Sequence, residues 1–354
     1  MNNKGPSKPD AIDNEENESY SQEINNLLSK GLEYFNKNSF DKSIECFKSI
    51  LKIDPKNVDA LIELGNAYAC VKNYNEAIES FKKVIKLEPK DIPTFFNLAT
   101  IYSEIEKFEE AISCYNKIIE LNPEDVEAWI NIGCAYADSN NYDSAIESLE
   151  KALQLDKENP DIFYILGTIY DDKEDFQTAI EYYQKAIQLD PDNLDAWHNL
   201  GIDYAEIKNY EKAIECFQKT IEFDNKNPLL WFNLGTTYHD TNEFDKAIKC
   251  YLKTIDIDSN ILIVWYNLGK AYFDKEEFDK AIECYEKVLE LDKNYIDAWY
   301  NIACVEAKRK DVEKAVTALK KVIEMDEKYR EFAKKDNDFN NIKNTKMFKE
   351  LITN

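Results

Sequence analysis

Apolar residues recur along this chain at separations of three and four, the spacing that places side chains on one face of an α-helix. Within residues 194–227, Trp197 and Tyr204 follow this spacing in a first segment, and Ala213 and Phe217 follow it in a second. Polar residues occupy most of the positions between them. The pattern predicts two amphipathic helices whose apolar faces pack against each other.

The same 34-residue pattern occurs nine times without insertion or deletion. When each repeat is numbered from position 1 to 34, all five tryptophans lie at position 4, seven of the eight glycines at position 8, and eight tyrosines at position 11. Position 20 is alanine in every repeat except the first. Small residues such as Gly201 and Ala213 predict a close approach of the two helices, with Trp197 and Phe217 beside them. The predicted repeats are 24–57, 58–91, 92–125, 126–159, 160–193, 194–227, 228–261, 262–295 and 296–329.

This period, with Trp at position 4, Leu-Gly at 7 and 8, Tyr at 11, Ala at 20, an aromatic residue at 24 and Pro at 32, resembles the tetratricopeptide repeat. The resemblance implies an all-α, right-handed superhelical solenoid in which the first helices line a concave groove and the second helices face outward. Two departures are that proline is missing from position 32 in repeats four and six to nine, and that Glu306 replaces tyrosine in repeat nine.

The two ends of the chain differ from the repeats. Residues 1–23 have few large apolar side chains, so we expect a disordered leader. Residues 330–354 contain short amphipathic segments, which we expect to cap the last apolar face of the array.

The net charge is −25, from 44 basic and 69 acidic residues. This charge disfavours nucleic acid and anionic membranes as partners and favours basic ones. The sequence shows neither a secretory leader pattern nor an apolar run of membrane length, so we expect a cytoplasmic protein. Five of the eight cysteines share position 23, and their spacing in multiples of 34 predicts reduced structural thiols.

Asparagine recurs at position 6 of the first helix, which does not serve the internal core. The predicted amide row is Asn97, Asn131, Asn199, Asn233, Asn267 and Asn301. Asparagine is unfavourable inside a helix, whereas its carboxamide can both donate to and accept from the main chain of an extended peptide. The groove thereby resembles that of the O-linked N-acetylglucosamine transferase, although no glycosyltransferase domain follows here. The alternative is ordinary family usage on a hydrated face.

Acidic residues form a second row at position 13. The predicted acidic row is Glu104, Asp138, Asp172, Glu206, Asp240 and Asp274. A carboxylate in the last turn of a helix opposes the macrodipole, at a cost of about 0.3–1 kcal/mol, so local helix stability does not explain the row. We interpret the row as facing a basic ligand, with a solvated acidic face as the alternative. Aromatic residues at position 5, Phe232, Tyr266 and Tyr300, are either anchors for ligand side chains or packing between repeats.

The function predicted is a non-catalytic scaffold that binds an extended, basic segment of a protein partner. The alternatives are a self-assembling structural module and a regulatory subunit of a separate enzyme. Enzyme chemistry is disfavoured because the glycines lack P-loop or Rossmann spacing, and no Ser or Cys has a local His partner. No cofactor and no metal is predicted, since His198 and His239 lack further ligands at metal spacing. The expected state is a monomer or a weakly self-associating chain.

Overall fold

The computed structural model describes residues 12–353, with side chains from residue 20 onward. Within these residues the fold is all-α, and each repeat contains two helices separated by a tight turn. The first helices are α1 (Ile12–Asn36), α3 (Val58–Cys70), α5 (Ile92–Glu104), α7 (Val126–Asp138), α9 (Pro160–Asp172), α11 (Leu194–Glu206), α13 (Pro228–Asp240), α15 (Leu262–Asp274) and α17 (Ile296–Lys308). The second helices are α2 (Phe40–Ile53), α4 (Tyr74–Leu87), α6 (Phe108–Leu121), α8 (Tyr142–Leu155), α10 (Phe176–Leu189), α12 (Tyr210–Phe223), α14 (Phe244–Ile257), α16 (Phe278–Leu291) and α18 (Val312–Met325).

The chain divides within α9 into two compact units, one ending at Ile169 and the other beginning at Tyr170. In the first unit, buried residues of successive repeats form a core that extends from Ile44 to Ile132. In the second, a core runs from Ala281 to Phe348 and includes the residues after repeat nine. Those residues form α19 (Tyr329–Lys335), a 3₁₀ helix (Asn337–Asn341) and α20 (Lys346–Thr353).

Several first helices begin where a side chain at the end of the preceding repeat accepts a backbone hydrogen bond, although α15 and α17 have no such cap. The Asn57 side chain accepts from the N–H of Ala60, and the Asn193 side chain accepts from the N–H of Ala196. Such N-caps stabilise a helix by about 1 kcal/mol. Asp91 and Asp125 cap α5 and α7 in the same way.

The turn between the two helices is the same in all nine repeats. Its position 15 is left-handed, with φ between 54° and 65°, and is never glycine. In repeat six, the N–H of Asn209 donates to the carbonyl of Tyr204, and that of Lys208 donates to Ala205. This pair of bonds is a Schellman motif, which satisfies the last carbonyls of the first helix and reverses the chain.

The close approach of the two helices is confirmed at the predicted glycines. A Cβ atom placed on Gly201 would lie 2.8 Å from Cε1 of Phe217, which is closer than carbon atoms pack. Ala213 is fully buried, as is the Phe217 ring. The small residues therefore make room for the aromatic side chain of position 24.

The tryptophans differ from expectation, because they are only half-buried. Each indole N–H instead donates to the carbonyl at position 32 of the preceding repeat. The five bonds are Trp129 to Pro123 (3.1 Å), Trp197 to Pro191 (3.0 Å), Trp231 to Asn225 (3.0 Å), Trp265 to Ser259 (2.9 Å) and Trp299 to Lys293 (3.2 Å). The tryptophan of one repeat thus fixes the loop that leads into it.

The expected leader overlaps a helix, because α1 begins at Ile12. Residues 12–23 of this predicted leader are thus helical, and residues 1–11 lie outside the described part. Once the packed turns of α1 have formed, each further residue adds one hydrogen bond, and this segment is rich in glutamate, which favours helix. None of the described helices is both long enough and apolar enough to span a bilayer.

We expect Lys72→Gly, at position 15 of repeat two, to raise the free energy of unfolding by about 0.5–1 kcal/mol, because glycine adopts the left-handed conformation without a Cβ clash. Lys83→Gly is the matched control on the exposed face of α4. It should lower the free energy of unfolding by about 1 kcal/mol. Urea titration followed by circular dichroism compares the two, and equal destabilisation would contradict the strain assigned to the turn.

Candidate functional site

The amide row lies on the first helices, and all six side chains are half-buried. Four of them contact a side chain of the preceding repeat: Asn97 Nδ2 donates to Asn66 Oδ1 (3.3 Å), Asn199 Nδ2 donates to the Tyr183 hydroxyl (3.4 Å), Asn233 Nδ2 lies 2.9 Å from His198 Nε2, and Asn301 lies beside the Tyr266 hydroxyl. Within residues 20–353, Asn131 and Asn267 make no side-chain hydrogen bond. Most of these amides therefore join neighbouring repeats and also remain partly exposed to solvent.

The contact between Asn233 and His198 is a hydrogen bond to an uncharged histidine ring. Burial lowers the pKa of His198, so the ring is neutral near pH 7. A neutral imidazole can accept a hydrogen bond at Nε2 from the Asn233 amide. This bond fixes α13 against α11 and still leaves the Asn233 carbonyl oxygen as an acceptor.

The acidic row is more exposed than the amide row. Each of its six residues is the last residue of a first helix, and each is exposed to solvent. Two of the six make a contact with a polar side chain. Asp274 Oδ2 lies 2.9 Å from His239 Nε2, and Glu104 raises the pKa of the adjacent Tyr74 hydroxyl. Among the described residues, no cation pairs with Asp172, Glu206 or Asp240.

Some acids on the second helices differ from the acidic row, because a cation lies beside them. Several pair with a lysine three residues away on the same helix: Lys117 with Glu120, Lys219 with Glu222 (3.3 Å), Lys253 with Asp256 (3.6 Å) and Lys287 with Glu290 (2.7 Å). In the second unit, the carboxylates of Asp172, Glu206 and Asp240 at the ends of the first helices have no such lysine partner among the described residues. Their negative potential is therefore available to an external cation.

The two rows meet in depressions between successive first helices, one in each unit. In the first unit, Asn66, Asn97 and Glu104 line a pocket of about 430 Å³. In the second unit, Asn233 lines a pocket of about 310 Å³ together with Glu206 and Asp240. We call the surface formed by positions 6, 9 and 13 of the first helices the first-helix face. It presents amides and carboxylates within the same depressions.

The aromatic residues at position 5 are half-buried and have partners inside the array. The ring of Phe232 lies 6.1 Å from that of Tyr251, and the ring of Tyr266 lies 6.0 Å from that of Tyr285, with both partners in the second helix of the same repeat. The Tyr300 hydroxyl donates to Asp336 Oδ2 at 2.6 Å. These contacts favour the packing interpretation, and a role as ligand anchors stays a prediction.

Cysteines and the acids nearest to them are also structural. All eight cysteines are free, and burial raises the pKa of Cys114 to about 11 and that of Cys216 to about 12, which makes both poor nucleophiles. Cys304 lies near Asp336 and Asp338, a set of atoms that could hold a metal ion. Asp338 already pairs with Lys308 (2.8 Å), and Asp336 accepts from Tyr300, so this group fastens repeat nine to the residues after it.

One buried acid escaped the sequence analysis. Asp203, at position 10 of repeat six, is fully buried, and no group donates a hydrogen bond to its carboxylate oxygens. Burial raises its pKa to about 8, and the Asp171 carboxylate adds to the rise by its charge and by accepting a hydrogen bond from protonated Asp203. The signal was present in the aligned repeats, because position 10 is otherwise apolar or threonine in repeats two to nine.

Comparisons with known proteins agree with this architecture. Models described as tetratricopeptide repeat match residues 263–295 and residues 216–249 and 284–317, and a TPR repeat model matches residues 236–276. This chain is a tetratricopeptide repeat protein. The TPR domain of cytochrome c-type biogenesis protein H matches residues 119–227, and the C-terminal ARM domain of tetratricopeptide repeat protein 21 matches residues 10–166. No curated protein matches the sequence.

Solved tetratricopeptide structures share the fold. The C-terminal part of a TPR repeat-containing protein from Cytophaga hutchinsonii is 24% identical, with a TM-score of 0.57 over 66% of this chain and 95% of that one. A tetratricopeptide repeat protein from Parabacteroides merdae is 19% identical, with a TM-score of 0.54 over 71% and 99%. YrrB, described as a TPR protein with an unusual peptide-binding site, is 29% identical, with a TM-score of 0.45 over 53% and 96%.

We expect Asp203→Thr, which copies Thr237 of the next repeat, to stabilise the array on the order of 1–3 kcal/mol at pH 8, because it removes a buried carboxylate that has no hydrogen-bond donor once it ionises. The folded state keeps Asp203 protonated up to about pH 8, whereas an unfolded aspartate loses its proton near pH 4. The contribution of Asp203 to the free energy of unfolding is thus fully present below about pH 4 and is lost as the pH rises through about 8.

Thermal unfolding from pH 5 to pH 9 measures this effect. The wild-type protein should lose stability relative to the Asp203→Thr variant as the pH rises, whereas the exposed Asp172→Asn control should follow the wild type. Parallel wild-type and Asp203→Thr curves would contradict a raised pKa.

Proposed function

We propose that the first-helix face of the second unit binds an extended, basic stretch of a protein partner. Tetratricopeptide repeat proteins generally mediate protein–protein interactions, so the open question is which surface and which ligand are used. The observation that supports this choice is the set of exposed, unpaired carboxylates at Asp172, Glu206 and Asp240. They end successive first helices, so a ligand crossing the repeats meets one carboxylate per repeat.

The repeat spacing sets the expected ligand pattern. Packed helices lie about 8–10 Å apart, and an extended chain rises about 3.3 Å per residue. One repeat therefore corresponds to roughly three ligand residues. We expect basic residues at every third position to match the acidic row better than the same number of adjacent basic residues.

The amides have a secondary part in this proposal. Asn199 and Asn233 already contact the preceding repeat, and their carbonyl oxygens remain as acceptors for a peptide N–H. Asn267 makes no hydrogen bond to the described residues, so both ends of its carboxamide are available. Carboxamides recognise a main chain irrespective of side chains, whereas the carboxylates select its charge.

The first experiment measures binding of a fluorescent twelve-residue peptide with lysine at every third position to the full chain. We expect Glu206→Gln combined with Asp240→Asn to weaken binding by about 1–2 kcal/mol, roughly fivefold to thirtyfold, because two exposed ion pairs are lost. The matched control is Glu181→Gln with Glu215→Gln, which removes the same charge from exposed positions of α10 and α12. Glutamate in place of lysine in the peptide should abolish binding.

Added salt should weaken the wild-type complex, because salt screens exposed charges. The screening length is about 10 Å at 0.1 M salt and about 8 Å at physiological salt. If both double variants lose affinity equally, the effect is one of net charge and not of this face. No preference for the lysine peptide over the glutamate peptide would exclude the proposal.

A second experiment separates binding amides from structural ones. Asn267→Ala should weaken the same peptide about threefold, the loss of one net hydrogen bond, while the thermal midpoint stays unchanged. Asn233→Ala should lower the thermal midpoint as well, because it breaks the contact with His198. If Asn267→Ala instead lowers the midpoint as much as Asn233→Ala does, the amide row is structural throughout.

A further inference from the structure

Repeat nine departs from its neighbours at position 11. In repeats six to eight this position is tyrosine, with a lysine over its ring at 4.9–5.1 Å: Lys212 over Tyr204, Lys246 over Tyr238 and Lys280 over Tyr272. In repeat nine the residue is Glu306, which is only 4% exposed. The aromatic ring is therefore missing from one otherwise regular site.

The replacement leaves a carboxylate that is incompletely satisfied. Glu306 Oε2 is buried and makes no hydrogen bond to the described residues. The two nearest cations lie at ion-pair distance only, Lys314 Nζ 3.8 Å from Oε1 and Arg309 Nε 3.9 Å from Oε2. Arg309 is directed mainly to Asp279, at 2.9 Å. A buried carboxylate without a donor costs free energy, which a bound donor would recover.

Glu306 lines the largest cavity described in the second unit. This cavity, of about 830 Å³, is walled by Trp299, Ile302 and Ala318. The equivalent cavity of repeat eight, where Tyr272 is present, has about 560 Å³. Loss of the ring thus coincides with a larger space of the size that small ligand groups occupy.

The charge of the cavity favours a cation. Six acidic and three basic residues line it. Among the described residues, no cation pairs with the lining acids Glu283, Glu286 and Glu313. Arg309 and Lys314 are already engaged by Asp279 and Asp311, at 2.9 and 3.7 Å.

We propose that this cavity binds the guanidinium group of an arginine side chain from a partner protein. Guanidinium is planar and weakly hydrated, so it is less costly to bury than an ammonium group, and its several N–H donors can reach Glu306 and a second carboxylate together. The arginine stem can pack against Ile302, whereas Lys321 Nζ already lies over the Trp299 ring, 3.8 Å from its centroid. A neutral phenol would restore the missing ring but would leave the excess negative charge uncompensated.

This site is separate from the first-helix face. Glu306, Trp299 and Ile302 occupy positions 11, 4 and 7 of α17, whereas the first-helix face uses positions 6, 9 and 13. At about 100° per residue these two sets lie on opposite sides of the helix. Failure of one proposal therefore leaves the other untouched.

The test uses the full chain labelled with ¹⁵N at tryptophan and titrated with N-acetyl-arginine methylamide. The Trp299 indole N–H lies at the cavity wall and donates to Lys293, so its resonance should shift saturably. The Trp299→Phe variant assigns that resonance. The citrulline analogue, which has nearly the same shape without charge, should produce no saturable shift, and the lysine analogue should bind at least threefold more weakly.

Two substitutions at one residue test the mechanism. Glu306→Gln keeps the shape and should weaken arginine binding about tenfold, and Glu306→Tyr restores the repeat pattern and should abolish binding while raising the thermal midpoint. Glu324→Gln, on α18 outside the cavity, is the charge-matched control. Tyr272→Glu should create a second arginine site in repeat eight. Arginine binding that persists unchanged in both Glu306 variants, or equal binding of citrulline, would overturn the proposal.

Discussion

The contact between the small residue at position 8, which is glycine in seven repeats and alanine in repeats three and nine, and the large side chain at position 24 is the constraint on which each repeat depends. A Cβ atom on Gly65 would lie 2.6 Å from the ring of Phe81, and one on Gly269 would lie 2.6 Å from the ring of Tyr285. Because the first helix has no side chain at position 8, or only a methyl group in repeats three and nine, the second helix packs directly on its backbone. The chain must then reverse within three residues, which the left-handed residue at position 15 accomplishes.

This packing decides which surfaces remain for ligands. Positions 4, 7 and 11 of a first helix face the second helices, so tryptophan and tyrosine there serve the junction between repeats. Positions 6, 9 and 13 lie on the opposite side, and the last of them ends the helix. Packing therefore imposes least on the exposed carboxylates of the first helices, which is why we propose that they meet the ligand. The exception is repeat nine, where Glu306 gives up a packing ring and leaves a charged cavity.

Much of the fold follows from the period alone, because a strict 34-residue repeat fixes every helix and turn in the same register. The sequence predicted the helix pairs and the glycine contacts correctly, as well as the exposure of residues such as Glu206. Contacts between repeats were less predictable. That Asn233 would contact His198, or that Trp231 would donate to Asn225, depends on how two repeats stack, which periodicity within one repeat does not specify.

The same limit applies to the surroundings of single side chains. Phe232, Tyr266 and Tyr300 have the composition of ligand anchors, and each has a ring partner more than fifteen residues away, which lies in the second helix of the same repeat for Phe232 and Tyr266 and in the 3₁₀ helix for Tyr300. Asp203 is one acid among 69, and it stands out in the sequence only when the repeats are aligned, because position 10 is otherwise apolar or threonine in repeats two to nine. Charge and residue type identify candidates for a site, whereas burial decides which of them are available.

The most direct measurement of the central claim is paramagnetic relaxation enhancement from a spin-labelled lysine peptide bound to the full chain. The claim is that partners approach the ends of the first helices and not the second helices. It predicts strong broadening of backbone resonances near Glu206 and Asp240, and little at Glu215 on α12. Broadening centred on the second helices, or spread evenly over both, would contradict it.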